Sequence, residues 1–566
     1  MSTPSDDSAA SVKARFAAAH RAVTGPAPDP APRPAPGPAP LSAAQRRIWF
    51  LTRLHPQSPA YHVPLVLRLT GALDEPALLA AVRDLAERHE TLRGVIDPDG
   101  AEPLVRPGPA GHVPVTVTEV TGDDLDAALA AETGRPFDLT ARPPMRATLF
   151  RLPGSWVLAV TVHHIATDGW SQRLLLADLA RCYAARTGAG EPPPPAPRYP
   201  DTVPGDADDP AGLDWWTRRL AGLPPVLGLP TDLPRTPDGD WAGAAAEVVV
   251  DTETAARLRA LAAGAGASVF MVLLAAWQSL LGRLAETDDV AVGVPHAGRH
   301  TAASEKAVGC FLDTVVIRTD LGGEPTGRDL LARARAGTLD ALAHARTPFD
   351  HIVRRLCPER SLTATPLFQT LLNVYDAPEP PALPGVCAET LYVPPRTAKF
   401  DLALELADDG PGAGLHGWLE YRRDLFTPRT ARRLVRWLGI LLEAMAADPD
   451  RPVAGIPLEP GTGPALAGPD AGPALPPVHT LIEAQADARP DAVAVVGPDG
   501  SLTYRELDVR ANRLAHRLLA RGAGRDRPVG LLLEPGTRFA TALLAVLKAG
   551  GAYLPLDTAY PAGRVY

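Results

Sequence analysis

The segment Val162-His163-His164-Ile165-Ala166-Thr167-Asp168-Gly169-Trp170 sets two adjacent histidines four residues ahead of an Asp-Gly turn. That layout suits acyl transfer. A neutral imidazole can take a proton from an attacking nucleophile, or hold it by a hydrogen bond while the charged tetrahedral intermediate forms. Gly169 serves either a backbone with φ > 0 or a close approach of main chain to substrate, and its amide is a candidate oxyanion donor. A lone buried histidine is more often a satisfied core residue than a catalytic one. The fixed spacing to Asp168 and Gly169 is what points to chemistry.

The flanking sequence says what positions these groups. Trp156 to Val162 is apolar and β-branched and predicts a buried strand, whereas Ser171 to Tyr183 predicts a helix. The histidines therefore sit at a strand end. Side chains alternate between the two faces of a strand, so His163 and His164 cannot both enter one cavity while the strand stays regular. One is expected to be structural and the other chemical. Trp170 and Ser171 are expected to pack and cap the following helix.

Other motifs accompany this one in order. Leu41-Ser42-Ala43-Ala44-Gln45-Arg46-Arg47-Ile48-Trp49-Phe50-Leu51 and Arg88-His89-Glu90-Thr91-Leu92-Arg93 precede it. Val308-Gly309-Cys310-Phe311-Leu312-Asp313-Thr314, His344 to Asp350, and Pro366-Leu367-Phe368-Gln369 follow. The set resembles the condensation domains of nonribosomal peptide synthetases, over roughly Pro40 to Leu458. A shorter core, His164-x-x-x-Asp168-Gly169, also occurs in CoA-dependent acyltransferases related to chloramphenicol acetyltransferase. Two departures stand out: the family usually has Asn at Asp313, and its Tyr-x-Asp-Tyr-Ala-x-Trp motif is reduced here to Tyr199-Pro200-Asp201.

The resemblance implies an α/β fold with two chloramphenicol acetyltransferase-like lobes in a V arrangement and the histidine motif at their junction. It implies a tunnel open at both faces, each admitting the phosphopantetheine arm of a carrier protein. His164 and Gly169 then become the catalytic candidates. His163, Asp168 and Arg299 become structural parts of the site, with the Asp168 carboxylate paired to Arg299 to hold the loop. Arg93 either lines the cavity or forms an ordinary salt bridge closing the helix that starts near Asp74. The reaction implied joins an upstream acyl or peptidyl thioester to the amine of a downstream aminoacyl thioester. An α-amine titrates near ~8, so a useful fraction is already neutral and a strong base is optional. Whether His164 removes a proton or only positions the amine stays open. The implied partners are the upstream donor and downstream acceptor carrier proteins and other synthetase modules.

Composition is compatible with this. The chain has 566 residues, 46% of them apolar and 5% aromatic, with a net charge of −9. Lysine is confined to Lys13, Lys306, Lys399 and Lys548. No basic run or basic patch interleaved with aromatics occurs, which argues against nucleic acid. Cys182, Cys310, Cys357 and Cys387 are isolated, and no metal site or bound cofactor is expected. The N-terminus is acidic where a secretory signal would be basic, and the longest apolar run, Val269 to Trp277, is too short to cross a bilayer. A soluble, cytoplasmic enzyme without membrane association is expected.

Composition also marks the domains. Residues 1–39 read as a leader with a short helix, Ser11 to Ala22, and a flexible Pro/Ala-rich stretch. A first lobe spans 40–205, a second 206–458, with Pro-rich breaks between Glu191 and Gly212, and 459–477 read as a linker. From 478 to 566 the chain changes character. Leu502-Thr503-Tyr504-Arg505-Glu506-Leu507 and Leu547 to Asp557 resemble the first two core motifs of an adenylation (AMP-binding) domain. The phosphate loop and catalytic lysine of that family are not among these residues, so a partial adenylation-domain fragment without adenylating activity is expected. The alternatives are a CoA-dependent acyltransferase, an epimerisation-type domain, or a non-catalytic scaffold that recruits a carrier protein or tailoring enzyme. Epimerisation domains normally follow a carrier domain, and such scaffolds often lose the second histidine, which His164 retains.

Overall fold

The structure, a computed structural model, describes residues 37–99, 102–203, 209–236, 239, 241–357, 364–377, 379–459, 476–525 and 527–557. The expected Ser11–Ala22 helix, most of the Pro/Ala-rich leader and most of the 459–477 linker lie outside the described residues. The chain divides into two compact units, Met1–Pro460 and Gly461–Tyr566.

The first unit is built on two large sheets and also has a small three-stranded one of Ala39–Pro40, Leu104–Pro107 and Gly94–Asp97. In the first sheet the strands run in the order Val386–Thr390, His62–Gly71, Ser155–His163, Met145–Leu152, Val115–Glu119. All neighbours are antiparallel except the last pair. The strand alternation read in the sequence is realised here. Leu65, Leu67 and Leu69, with Leu158, Val160 and Val162 on the next strand, pack against Leu78, Val82 and Leu85 of helix Glu75–Arg88. Leu175, Leu176 and Leu179 of helix Gly169–Arg186 complete that layer. Asp74 caps the first helix through Ala77 N–H (3.0 Å). On the other face Val66, Phe150, Val157 and Ala159 meet Leu125 and Leu129.

The second sheet runs Asp313–Asp320, Asp289–His296, Thr370–Tyr375, Leu402–Asp408, Leu415–Arg422, Gly243–Val250. Only Thr370–Tyr375 is parallel to its neighbours. Helices Thr252–Gly264, Val269–Ala285, Gly327–Ala343 and Pro428–Ala447 contribute to the large apolar core that its inward-facing residues share. Val269–Ala285 is buried over most of its length, as its continuous apolar run requires. Among the described residues no single helix is long and apolar enough to cross a membrane.

A division at 205/206 does not separate the sheets. Strand Val386–Thr390, from the second half of the chain, pairs antiparallel with His62–Gly71 and forms the edge of the first sheet. This strand, Val-Cys-Ala-Glu-Thr, is short and has little apolar alternation, so its own sequence does not say which sheet it joins.

The second unit contains helices Val478–Ala488, Tyr504–Leu519 and Thr537–Lys548, a hairpin of Val493–Gly497 with Gly500–Thr503, and a parallel pair Pro528–Leu532 with Ala552–Leu556. Thr503 and Glu506 form a capping box that starts the middle helix. Leu502, Leu507, Ala511, Leu544 and Ala545 are its buried centre.

Candidate active site

Strand Ser155–His163 stops because the main chain turns. His163 N–H donates to the Pro144 carbonyl (2.7 Å) and His164 N–H to the Tyr61 carbonyl (2.7 Å). A single 3-10 turn, His164–Ala166, then leads into helix Gly169–Arg186, and Gln45 Nε2 holds the Ile165 carbonyl (3.0 Å). The two imidazoles are thus parted by a turn that begins at His164, not by strand alternation alone.

His163 is buried among Tyr61, His62 and Phe137. Its Nδ1 accepts from Ile165 N–H (3.3 Å), which leaves the proton on Nε2 to be donated to Thr52 Oγ1 (3.3 Å); that hydroxyl donates onward to the Ile48 carbonyl (2.8 Å). Both ring nitrogens are occupied. Burial, reinforced by nearby His62, pushes its pKa well below the ordinary value.

His164 differs. Its Nδ1 has no hydrogen-bond partner in another residue, but its own main-chain carbonyl favours a proton there. Nε2 makes no hydrogen bond to any described residue, and the side chain remains partly open to solvent. Burial and then the Lys399 ammonium lower the His164 pKa to about 4. At neutral pH this ring is an uncharged hydrogen-bond acceptor. Tyr61 stands edge-on to it at 6.5 Å.

Asp168 and Arg299 are both buried. Asp168 caps helix Gly169–Arg186, accepting from Ser171 N–H (2.8 Å), and its other oxygen accepts from Phe311 N–H (3.1 Å). Arg299 Nη2 lies 2.9 and 3.1 Å from the two carboxylate oxygens, and Nη1 donates to the Ser304 and Ala307 carbonyls. The guanidinium lies over the Phe311 ring at 4.0 Å. Burial alone would raise the Asp168 pKa; Arg299 and the converging donors outweigh it and hold the carboxyl below the usual range. With every oxygen engaged, this carboxylate has no capacity to take a substrate proton.

Gly169 is not among the glycines with positive φ. It is the first residue of its helix, so its N–H belongs to the unpaired amides of a helix N-terminus. Of its two sequence readings, only main-chain access remains.

Arg93 Nε donates to the Ala86 carbonyl (3.1 Å) and Nη1 to the Gly108 carbonyl (2.5 Å), so it clamps main chain; among the described residues it forms no salt bridge. The neighbouring Arg88 and His89 are likewise structural, both meeting Asp178 Oδ2 (2.8 and 2.9 Å) and binding one helix to the next.

Several site groups escaped the sequence reading. Ser171 Oγ accepts from Arg299 Nη2 (2.8 Å) and Gly309 N–H (3.1 Å), linking the Asp168 network to the second sheet's side. Its position three residues after an Asp cap was the available signal. Asp313 pairs with Arg47 (3.4 Å) and accepts from Phe349 N–H (3.1 Å), joining the Ala43–Leu54 helix to the second sheet. Tyr199 OH donates to the Cys310 carbonyl (2.5 Å) and meets Ser42 Oγ (2.8 Å). A cavity of about 220 Å³ behind the turn is lined by Ser42, Gln45, Glu90, Thr91, Ile165 and Tyr199, but not by His164. Among the described residues no cluster of His, Cys, Asp or Glu could hold a metal ion.

Two sheets joined by a locked Asp-Arg pair, with a neutral and partly accessible histidine beside it, are an arrangement suited to acyl transfer. The condensation-domain family profile matches residues 36–460, and the AMP-binding enzyme profile matches 482–566. The chain belongs to the condensation domains of nonribosomal peptide synthetases, enzymes of acyl and peptidyl transfer, and continues into an AMP-binding segment. It is 39% identical to the dimodular nonribosomal peptide synthase of Bacillus subtilis and 39% identical to the isonitrile lipopeptide synthase of Mycobacterium tuberculosis. Each alignment covers 93% of this chain but only 23% and 22% of the relative. Among solved structures, the X-domain from teicoplanin biosynthesis in complex with OxyB matches with a TM-score of 0.68 and 31% identity, over 77% of this chain and 99% of that one. A four-domain nonribosomal peptide synthetase bound to AMP and glycine matches with a TM-score of 0.70 and 24% identity, over 94% of this chain and 43% of that one.

Proposed function

We propose that residues 40–458 catalyse amide bond formation between an acyl or peptidyl thioester on an upstream carrier protein and the amine of an aminoacyl thioester on a downstream one. Both substrates arrive on phosphopantetheine arms, and this chain itself binds no cofactor. The observation that carries the reading is His164, the one histidine of its motif whose Nε2 is uncommitted among the described residues and whose side chain is partly open to solvent. Neutral at working pH, it accepts a hydrogen bond from the attacking amine and takes up the proton as the tetrahedral intermediate forms; the carbon–sulfur bond then breaks and the donor's phosphopantetheine thiolate leaves with that proton. Gly169 N–H, aided by the helix dipole, is assigned to the developing oxyanion. His163, Asp168 and Arg299 hold the turn.

The test is a single-turnover reaction with two loaded carrier proteins, read by intact-protein mass spectrometry. Transfer of the acyl group onto the acceptor carrier is expected with the wild type and a loss of at least a hundredfold with His164→Ala. The identity to an X-domain captured with OxyB favours a second reading, a recruiting scaffold without catalysis. Equal turnover by wild type and a well-folded His164→Ala protein would select it.

A further inference from the structure

The opening motif, Leu41 to Leu51, has no part in the proposed reaction, yet one of its side chains reaches the histidine turn. Gln45 is buried at the third position of helix Ala43–Leu54. Its Oε1 accepts from Ser42 N–H (3.1 Å) and closes a capping box, while its Nε2 donates to the Ile165 carbonyl (3.0 Å), 120 residues away. Ser42 N–H only donates and the Ile165 carbonyl only accepts, so the amide has one orientation. Glutamate closes a capping box as well as glutamine does, but an ionised carboxylate has no hydrogen to give the carbonyl. The amide serves both partners.

The anchor of Gln45 continues into the second half of the unit. Gln45 N–H donates to Ser42 Oγ (3.2 Å), and the buried Tyr199 hydroxyl gives its only proton to the Cys310 carbonyl (2.5 Å), so Ser42 Oγ is the donor in its 2.8 Å contact with that phenol. The next amide along, Phe311 N–H, binds Asp168 (3.1 Å). Cys310 and Phe311 therefore hold both ends of the turn, Asp168 directly and Ile165 through Tyr199, Ser42 and Gln45.

His164 depends on that hold. Its ring makes no hydrogen bond to another described residue, so the main chain and the edge of Tyr61 set its place. The turn's own closing bond, from Thr167 N–H to the His164 carbonyl, is long at 3.4 Å. Gln45, Ser42, Tyr199 and Ile165 all line the cavity of about 220 Å³ behind the turn, so close packing does not substitute for the Gln45 bond there. A misplacement of roughly 1 Å at a reacting group costs on the order of a hundredfold in rate.

We propose that Gln45 is a positioning residue for amide formation, holding the Ile165 carbonyl so that the His164 ring keeps its place, with Ser42 and Tyr199 tying Gln45 to the second half of the unit. This rests on the condensation reading for the reaction that is positioned.

Gln45→Met, close to glutamine in length but without the amide, is compared with wild type in the full chain. In the single-turnover assay with two loaded carrier proteins its rate constant is expected to fall about tenfold or more, while the acceptor-carrier concentration giving half the maximal rate stays within about twofold. Placed in the His164→Ala protein, the same substitution is expected to change the residual rate less than about twofold, because a residue that acts through His164 has nothing left to act on. An unchanged rate constant in the wild-type background, or the same loss in both backgrounds, overturns the proposal. Tyr199→Phe cuts the tie to Cys310 and leaves Gln45 in place. It is expected to slow transfer about threefold at an unchanged half-saturating concentration, and an unchanged rate there decides against the proposal if Gln45→Met does not fold.

A second readout needs no turnover. The ring nitrogen signals of His164 in histidine-labelled protein, identified by their loss in His164→Ala, are expected to shift with Gln45→Met and with Tyr199→Phe, while those of the exposed His416 hold still. A wild type that transfers no acyl group would refute the condensation reading. Shifted His164 signals in that same protein would leave Gln45 as the residue that places the ring, and unmoved signals would refute the positioning role as well.

Discussion

Arg299 and Asp168, 131 residues apart in sequence, meet through one guanidinium nitrogen lying 2.9 and 3.1 Å from the two carboxylate oxygens. Arg299 follows the Asp289–His296 strand of the second sheet and Asp168 caps a helix on the first, so this pair ties the two halves of the condensation unit beside the histidine turn. Both carboxylate oxygens and both terminal guanidinium nitrogens are further engaged by Ser171, Phe311, Ser304 and Ala307, while the buried Arg299 Nε has no hydrogen-bond partner among the described residues.

Removing one partner of such a pair strands the other in a buried site, at about 3–5 kcal/mol. Asp168→Asn and Arg299→Ala are expected to lower the melting temperature together with activity, and the double variant to lose less than the sum. A variant that melts like wild type but has lost turnover would give Asp168 a direct chemical role. Chemical denaturation of the four proteins closes the cycle.

His163 and His164 are expected to part company on mutation. His163→Ala removes the packing against Phe137 and the bond to Thr52, so it destabilises by roughly 2–5 kcal/mol. His164→Ala disturbs no hydrogen bond of its ring to another residue and should melt close to wild type while turnover collapses. Thr52→Val, which leaves the His163 Nε2–H without an acceptor, should reproduce a milder form of the first effect, about 1–3 kcal/mol.

Acid is expected to weaken the fold before the carboxylates titrate. Burial lowers the pKa of His62 and His164 to about 4 and that of His163 further, and burial also lowers that of His89. Below the unfolded value near 6.5 the unfolded chain binds protons that the folded chain refuses, so the stability these groups contribute is complete above about pH 6.5 and is lost as pH falls through their folded values. Asp168 adds a later loss, from its ordinary value near 4 downward. A melting temperature that stays flat from pH 7 to 4.5 would contradict this.

Gly309 is expected to tolerate no side chain. An added Cβ would stand 2.0 Å from Cδ2 of the Tyr199 ring, which is itself fixed by its hydroxyl to the Cys310 carbonyl and by its edge against Phe311. Gly309→Ala should therefore lower the melting temperature more than Tyr199→Phe, which gives up only the hydroxyl contacts.

In the second unit, Lys548 brings together Glu483 (2.5 Å), Asp508 (2.6 Å) and Asn512 (2.8 Å) from two helices while largely buried itself. Val493, Val496, Leu532 and Leu554 remain exposed beside its small core. Lys548→Met is expected to loosen this unit without altering the melting of the first. Hydrogen exchange read separately over residues 476–557 and 40–458 gives the answer.

The sequence by itself determined the local chemistry and most of the elements that carry it. A β-branched run, an Asp-Gly turn and a capped amphipathic helix place His163, His164, Asp168 and Gly169 within a few residues of each other, where periodicity and capping are local rules. The tertiary structure decided what those rules do not reach. That Arg93 clamps carbonyls, that Val386–Thr390 crosses to the first sheet, and that Arg299 reaches Asp168 all depend on groups distant in the chain. Which nitrogen of His164 stays uncommitted depends on them too, because a side chain's hydrogen bonds and the field it feels are set by neighbours that only folding brings near.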